Sequence, residues 1–105
     1  MPFVIKNTVT RPNKNVAFFS KFIQNQTTAT PEKLALETVN AEREKLGYTE
    51  TVTLSEDRLT IVSTVDYGTP ENHASFNETY AQALATVKAA RVAYEKSVGI
   101  TRVKK

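Results

Sequence analysis

The fold is decided by residues 48–71, which read YTETVTLSEDRLTIVSTVDYGTPE. Threonine and valine alternate over 48–54, and residues 59–67 are almost continuously β-branched, so both segments are predicted to be strands. The polar turn SEDR at 55–58 is short enough to predict an antiparallel hairpin between them. A glycine ends the second strand, and the triplet TPE at 69–71 is typical of a helix N-terminus. This stretch therefore predicts a hairpin that is followed at once by a helix.

One strand and two helices are predicted before the hairpin. Residues 3–11 place apolar side chains at alternate positions, which predicts a strand, and Pro12 ends it because proline cannot continue a central ladder. Residues 15–26 hold three of the five phenylalanines at helical spacing and predict a short helix. A second TPE triplet at 30–32 predicts a helix that ends just before Gly47, a plausible C-cap.

The segment after the hairpin predicts the longest helix of the chain, over about residues 69–97. It is rich in alanine, which favours helix, and its larger apolar residues share one stripe. Gly99 is predicted to end this helix, and residues 100–103 are predicted to add a short final strand.

The predicted order is β-α-α-β-β-α, with the short final β as an optional addition. This is a ferredoxin-like α+β order with one extra helix before the second strand, in a single domain over residues 1–105. One antiparallel sheet that carries its helices on one face leaves the other face open. A second copy of the chain is predicted to cover that face.

Composition excludes several classes of function. The chain has no cysteine, one histidine and three glycines among its 105 residues. A disulfide framework, a thiolate zinc site and a multi-histidine metal site within one chain are therefore excluded, and the glycines do not form a phosphate-binding loop. No apolar segment is long enough to span a membrane, and residues 1–11 lack the apolar core of a signal peptide. We expect a cytoplasmic protein that does not contact membranes.

Charge is distributed unevenly along a chain whose net charge is +3. Residues 32–57 carry seven acidic and three basic side chains, whereas residues 88–105 carry one acidic and six basic ones. A basic C-terminal region is able to contact nucleic acid or an acidic partner. The alternative is an ordinary solvated helix face followed by a lysine-terminated tail.

Three stretches resemble the dimeric α+β-barrel superfamily, in particular its antibiotic-biosynthesis-monooxygenase type. They are the opening strand and turn at 3–13, the dipeptide at 47–48 before the hairpin, and the strand 59–67 with the helix start and Phe76 after it. Asn13 stands where that family often has glycine. The resemblance implies a homodimer whose two sheets close a barrel, with a cleft between each sheet and its helices. Because members include cofactor-free oxygenases of quinol-like substrates, haem-degrading oxygenases, isomerases and proteins without a known reaction, the resemblance does not fix the function.

Asn7 is the candidate catalytic residue. It interrupts the apolar row of the first strand, and that row is predicted to face the helices. A buried amide without a hydrogen-bond partner costs about 1–3 kcal/mol, so a ligand is one candidate partner, and a backbone group or water is the alternative. The resemblance implies that an asparagine at this place orients a substrate or a dioxygen-derived species.

Tyr67, Tyr80 and His73 are the candidate ligand-binding residues. Phenol rings hold aromatic ligands by stacking and hydrogen bonding, and histidine is able to act as an acid, a base or a haem ligand. The haem-degrading members of the family carry their histidine further along this helix and a tryptophan before it, and this chain has no tryptophan. We therefore expect no haem, no other cofactor and no metal. The alternatives are tyrosines that only pack in the core and a solvated histidine in the first helical turn.

The leading functional hypothesis is a small-molecule-binding protein of the dimeric α+β-barrel type, with its cleft near Asn7, Tyr67 and Tyr80. Its enzymatic form is a cofactor-free, monooxygenase-like reaction on an aromatic or quinol-like substrate. The alternative is a non-catalytic structural or interaction protein, which the lack of an evident acid/base pair favours. A nucleic-acid-binding domain is the third hypothesis. It ranks below the other two because residues 59–65 lack the aromatic motif with which such sheets stack bases.

Overall fold

The computed structural model describes residues 2–104, which form one sheet and a layer of helices. The strands are β1 (Val4–Thr10), β2 (Thr49–Leu54), β3 (Thr60–Asp66) and β4 (Thr101–Lys104). The helices are α1 (Phe19–Gln24), α2 (Pro31–Lys45), α3 (Pro70–Thr79) and α4 (Ala81–Val98). The α+β class, the hairpin of residues 48–67 and the short final strand are therefore confirmed.

The sheet has the strand order β2-β3-β1-β4, and every neighbouring pair is antiparallel. In the middle of the sheet, Asn7 lies opposite Ser63 on one side and Lys104 on the other. Strands β2 and β4 form the two edges. Because four strands alternate in direction, the two edge strands run in opposite directions.

The two faces of the sheet differ in burial. Val9 is only 1% exposed on the face that packs against the helices, whereas Val4 and Val103 on the opposite face are 45% and 55% exposed. That opposite face, here called the open face, is rich in threonine. Its threonines are Thr8, Thr10, Thr49, Thr51, Thr53, Thr60, Thr64 and Thr101. Within residues 2–104, no helix or loop covers the open face.

The core consists of two clusters between the sheet and the helices. The first joins α2, β3 and α3 through Val39, Val65, Tyr67 and Phe76. The second joins α1 to α4 through Phe19, Ile23 and Val87. Full burial of an aliphatic or aromatic side chain contributes about 1.5–3 kcal/mol, so these few residues supply much of the stability.

The helix starts follow the sequence prediction. The hydroxyl oxygen of Thr30 accepts a hydrogen bond from the amide of Lys33, and that of Thr69 accepts one from the amide of Asn72. Each threonine therefore caps a helix whose first residue is proline. Gly99, with φ of +83°, ends α4 in the left-handed conformation that glycine adopts without strain.

The prediction of one long helix over residues 69–97 is wrong, because the chain breaks it at Tyr80. The backbone of Tyr80 has φ of −110° and ψ of 27°, which ends α3 and lets α4 begin at the next residue. The hydroxyl of Tyr80 donates a hydrogen bond to Glu42 of α2 across 2.8 Å. This contact with a distant helix holds the residue at which the two helices meet.

The helix predicted over residues 15–26 is shorter than expected and begins at Phe19. Arg11 donates a hydrogen bond to the carbonyl of Val16 across 3.0 Å, and its guanidinium lies 4.6 Å from the ring centre of Phe18. Phe18 itself is extended, with φ of −64° and ψ of 153°. Because these contacts hold the start of the segment against β1, only its second half is helical.

A buried ion pair joins α4 to β4. Glu95 is 6% exposed, and its carboxylate accepts two hydrogen bonds from Arg102, at 2.7 and 3.1 Å. The Nε atom of Arg91 lies 3.9 Å from the same carboxylate. A buried carboxylate needs such partners because an isolated buried charge is costly. Within residues 2–104, no helix is long and apolar enough to cross a membrane.

Candidate functional site

An aromatic cluster lies at the end of the sheet where β3 leads into α3. We define the aromatic cluster as Phe3, Tyr48, Tyr67, His73, Phe76 and Tyr80. Two local features build it. The amide of Tyr67 donates to the carbonyl of Phe3 across 2.8 Å, which continues the pairing of β1 with β3. Asp66 accepts a hydrogen bond from the amide of Gly68 across 2.8 Å, and this turn directs α3 back over Tyr67.

The structure brings the predicted ligand-binding residues together in this cluster. The ring centres of Tyr67 and His73 are 4.8 Å apart, and those of Phe76 and Tyr80 are also 4.8 Å apart. Phe76 connects the two pairs, since its ring centre is 5.9 Å from that of Tyr67. Tyr67 therefore fits the alternative that the tyrosines pack in the core, because its side chain is buried among aromatic rings.

Arg43 of α2 lies against the aromatic cluster. Its Nε donates a hydrogen bond to the hydroxyl of Tyr67 across 3.0 Å. The guanidinium carbon is 5.4 Å from the ring centre of Phe76 and 5.9 Å from that of Tyr67. Within residues 2–104, its terminal nitrogens Nη1 and Nη2 have no hydrogen-bond acceptor. The guanidinium is thus held in place by rings while two of its donor groups stay available.

Sequence reasoning did not select Arg43 as a site residue, although a signal was present. Arg43 lies on the same helical stripe as Leu36 and Val39, where an apolar residue is expected. A charged residue on an apolar stripe needs a partner in the folded protein. That partner, Tyr67, is 24 positions away in sequence and was not identifiable from local spacing.

A groove of about 400 Å³ opens beside Arg43, between the C-terminal end of α2 and the start of β2. We call it the α2–β2 groove. Its lining residues are Asn40, Arg43, Glu44, Gly47, Tyr48, Thr49 and Glu50. The half-buried ring of Tyr48 forms a flat wall of the groove. Its contact with Tyr67, at 5.1 Å between ring centres, holds the ring in place. Gly47 allows the turn at the end of this wall, with φ of +79°.

The groove offers hydrogen-bond donors and acceptors at close quarters. Arg43 and the amide of Asn40 supply donors, while the exposed carboxylates of Glu44 and Glu50 supply acceptors. Glu50 also accepts a hydrogen bond from Ser63 across 3.2 Å, which links the groove to the middle of the sheet. A ligand that combines donor and acceptor groups matches this lining better than a simple anion does.

A second groove, of about 250 Å³, lies between α1 and α2. It shares Asn40 with the α2–β2 groove, and Lys33 and Glu37 line its other end. The shared residue shows that one stripe of α2 borders both grooves.

Tyr80 is engaged with Glu42 rather than directed into the groove. Its hydrogen bond to the Glu42 carboxylate raises the pKa of the Tyr80 phenol and lowers the pKa of Glu42. Both shifts stabilise the pair as a neutral phenol and an ionised carboxylate. The phenol of Tyr80 is therefore a poor candidate for a general base at this place.

His73 lies behind Tyr67, with its ring centre 5.4 Å from that of Phe3. A ring nitrogen of His73 is 3.1 Å from the side-chain amide of Asn77. Burial lowers the pKa of His73, and the positive charges of Lys104 and Arg43 lower it further. The imidazole is therefore neutral near physiological pH, and it does not line either groove.

Asn7 lies apart from the aromatic cluster. It is half-buried on the helix-facing side of β1, two residues beyond Ile5 in the row that begins at Phe3. Within residues 2–104 its side chain makes no hydrogen bond, and it lines neither groove. The cleft predicted near Asn7, Tyr67 and Tyr80 is thus not one of these two grooves, and a role for Asn7 stays a prediction.

Histidine, aspartate and glutamate side chains do not gather into a metal-binding group within residues 2–104. The groups that meet in the α2–β2 groove instead suit the binding of a small polar molecule. No family model matches the chain, and no curated protein shows significant sequence similarity to it.

Proposed function

We propose that the protein binds a small aromatic molecule with hydroxyl or carbonyl oxygens, such as a phenol or quinol, in the α2–β2 groove. The observation that carries the proposal is Arg43, which aromatic rings and the hydroxyl of Tyr67 hold at the groove with two donor groups available. A guanidinium that is already positioned loses little freedom when it binds an oxygen atom of a ligand.

The rest of the lining supports the same class of ligand. Small-molecule pockets occupy about 300–1,000 Å³, so the volume suits a compact molecule. An aromatic ring would stack on Tyr48, one of its oxygens would accept from Arg43, and a hydroxyl would donate to Glu44 or Glu50. The two carboxylates make an anionic ligand a weaker candidate, because they would repel it.

The enzymatic form of this proposal is a cofactor-free, monooxygenase-like reaction on a quinol. A guanidinium next to a phenol favours the phenolate, so Arg43 would lower the pKa of the bound hydroxyl, and the electron-rich phenolate would give its electrons to dioxygen as the co-substrate. The alternative is binding without catalysis, as in a structural or interaction protein.

The fold assignment that accompanies this proposal is a ferredoxin-like domain that forms a homodimer. The strand order β2-β3-β1-β4 supports the ferredoxin-like topology. A second copy on the open face would cover Val4 and Val103, which are exposed apolar side chains on a face otherwise rich in threonine. Light scattering tests this part, since a homodimer has twice the mass of the 11.7 kDa chain.

Titration with hydroquinone, followed by two-dimensional amide NMR spectra, tests the ligand proposal. We expect shifts of the amides around residues 40–50 and a dissociation constant that rises about tenfold in Arg43→Gln, which loses a charged donor. Lys45→Gln is the matched control, since Lys45 is exposed and bonds only to Glu42 within the described part of the chain. Benzene is the control ligand because it keeps the ring and lacks the hydroxyls.

A second variant covers the case in which Arg43→Gln does not fold. Glu50→Gln keeps the shape of an exposed side chain and removes its charge, and we expect it to weaken hydroquinone binding several-fold. The proposal is wrong if hydroquinone leaves the groove amides unchanged, or if benzene binds as tightly as hydroquinone.

A further inference from the structure

The two edges of the sheet carry charges of opposite sign. The acidic edge consists of β2 and the neighbouring helix α2, whose carboxylates Glu32, Glu37, Glu42, Glu44 and Glu50 outnumber the cations Lys33, Arg43 and Lys45. The basic edge consists of β4 and the neighbouring helix α4, and its cations are Lys88, Arg91, Lys96, Arg102 and Lys104. On the basic edge, Glu95 is buried and paired with Arg102, so the exposed positive charge there comes from Lys88, Lys96 and Lys104.

Both edge strands present backbone groups that lack a strand partner on one side. All six residues of β2 are exposed, and within residues 2–104 no element pairs with the outer side of β2 or of β4. An unpaired strand edge is a template for another strand, unless charges or a covering segment prevent the pairing. The nature of the charges therefore decides which strand each edge accepts.

Like charges oppose symmetric pairing at the β4 edge, where Lys104 of each copy would lie opposite Arg102 of the other. Symmetric pairing of two β2 strands would give Glu50 no cation to face, because Val52 or Leu54 would lie opposite it. Like charges on facing strands are destabilising, whereas opposite charges stabilise the pair. A pairing of β4 with β2 of another copy is the combination that both sets of charges favour.

The direction of the strands permits this combination without inverting the second copy, which turns only by the normal twist of the continued sheet. Because β2 and β4 run in opposite directions, a copy shifted along the sheet places its β2 antiparallel to β4 of the first copy. The helices of both copies then cover the same face of the continued sheet, so that they do not obstruct the pairing of the strands.

One register satisfies the geometry of this pairing. The helix-facing residues are Glu50, Val52 and Leu54 on β2, and Arg102 and Lys104 on β4. If helix-facing residues are to lie opposite each other and all four residues of β4 are to be paired, Lys104 must lie opposite Glu50. Arg102 then lies opposite Val52, which is 54% exposed in the single chain.

We propose that copies of this chain associate head to tail, with β4 of one copy pairing antiparallel to β2 of the next and Lys104 opposite Glu50. Such a contact is heterologous and leaves one edge free on each terminal copy, so it adds further copies until a row, or a ring, is formed. The contact depends on exposed charges, so it weakens as salt screens them. It differs from the homodimer discussed above, which uses the open face.

Sedimentation velocity and light scattering over a range of protein concentrations test this proposal. At about 20 mM salt we expect the weight-average mass to rise with concentration beyond that of a dimer, and at about 500 mM salt we expect it to fall back. Glu50→Lys and Lys104→Glu each place like charges at the contact, and each variant alone is expected to associate about fivefold more weakly.

A mixture of the two variants supplies the decisive comparison. In the mixture, Lys104 of the Glu50→Lys variant meets Glu50 of the Lys104→Glu variant. At the next contact along the row, the introduced glutamate of one variant meets the introduced lysine of the other. Both contacts join opposite charges, so association is expected to return to the level of the unmodified chain. Lys21→Glu and Glu78→Lys are matched controls, because they change the net charge equally at exposed positions on α1 and α3. These controls are expected to associate like the unmodified chain.

Two results would overturn the proposal. One is a mass that stays at that of a monomer or dimer at low salt and millimolar protein. The other is a mixture of Glu50→Lys and Lys104→Glu that associates no better than either variant alone. Circular dichroism of each variant checks that the comparison is made between folded proteins.

Discussion

Arg43 and Tyr67 are joined by a hydrogen bond of 3.0 Å from the guanidinium Nε to the phenol oxygen. The bond connects the last turn of α2 to the residue that follows β3, and it fixes the guanidinium beside the α2–β2 groove. The position of the proposed binding group thus depends on a buried core residue.

Tyr67→Phe is expected to lower the free energy of unfolding by about 0.5–1.5 kcal/mol, because Arg43 loses its acceptor while the ring stays in place. Urea unfolding measures this change. Tyr48→Phe is the control, since the hydroxyl of Tyr48 has no protein partner within residues 2–104, and its loss is expected to have a smaller effect. Equal effects of the two variants would contradict a structural role for the Arg43–Tyr67 bond.

Asn7→Ala distinguishes the groove from a cleft between the sheet and the helices. Asn7 does not line the α2–β2 groove, so we expect the variant to bind hydroquinone as tightly as the unmodified chain. NMR titration gives the dissociation constant. A loss of affinity by about tenfold would instead support the role in ligand orientation that the sequence predicted for Asn7.

Replacement of Glu95 is expected to be among the most destabilising single changes. Glu95→Ala leaves Arg102 and Arg91 without their carboxylate, and the loss of one partner of a buried pair costs about 3–5 kcal/mol. Thermal and urea unfolding measure the loss. The exposed Glu78→Ala is the control, with an expected change within about 0.5 kcal/mol.

The double variant Glu95→Leu with Arg102→Met separates the charge from the packing. It removes both members of the close pair and keeps apolar volume, so we expect it to recover part of the stability that Glu95→Ala loses. A double variant less stable than Glu95→Ala would show that the pair contributes through its shape and hydrogen bonds instead.

His73 is expected to make stability depend on pH in a defined direction. Burial and nearby positive charge hold its pKa below the ordinary value of 6.5, so the unfolded chain takes up a proton before the folded one as the pH falls. The contribution of the neutral imidazole is therefore complete above that ordinary value and is lost as the pH falls through the pKa of the folded protein.

The melting temperature of the unmodified chain and of His73→Gln, measured across this range, checks the direction. Gln does not titrate, so the stability of the unmodified chain relative to His73→Gln is expected to decrease as the pH falls. An advantage that grows towards low pH would mean that the folded protein favours the imidazolium.

Local sequence determined most of the helix and strand elements, because the groups that set them lie within a few residues of each other. Thr30 and Thr69 cap helices through amides three positions away, and Gly99 ends α4 through its own backbone freedom. The alternation of residues 48–67 likewise predicted the hairpin that β2 and β3 form.

Only the tertiary structure decided the break at Tyr80 and the place of the groove. The hydrogen bond that Tyr80 makes to Glu42 spans 38 positions, and that of Arg43 to Tyr67 spans 24. Local periodicity carries no information on contacts at such separations, because they form only after the helices pack.

The distribution of charge shows both contributions together. Sequence alone determined that residues 32–57 are acidic and residues 88–105 are basic. The strand order β2-β3-β1-β4 decided that β2 and β4 of these segments lie at opposite edges of one sheet, whereas their helices α2 and α4 pack against each other. Strand order is set by non-local pairing of backbone and side chains, so the opposite charges of the two edges emerge only in the folded chain.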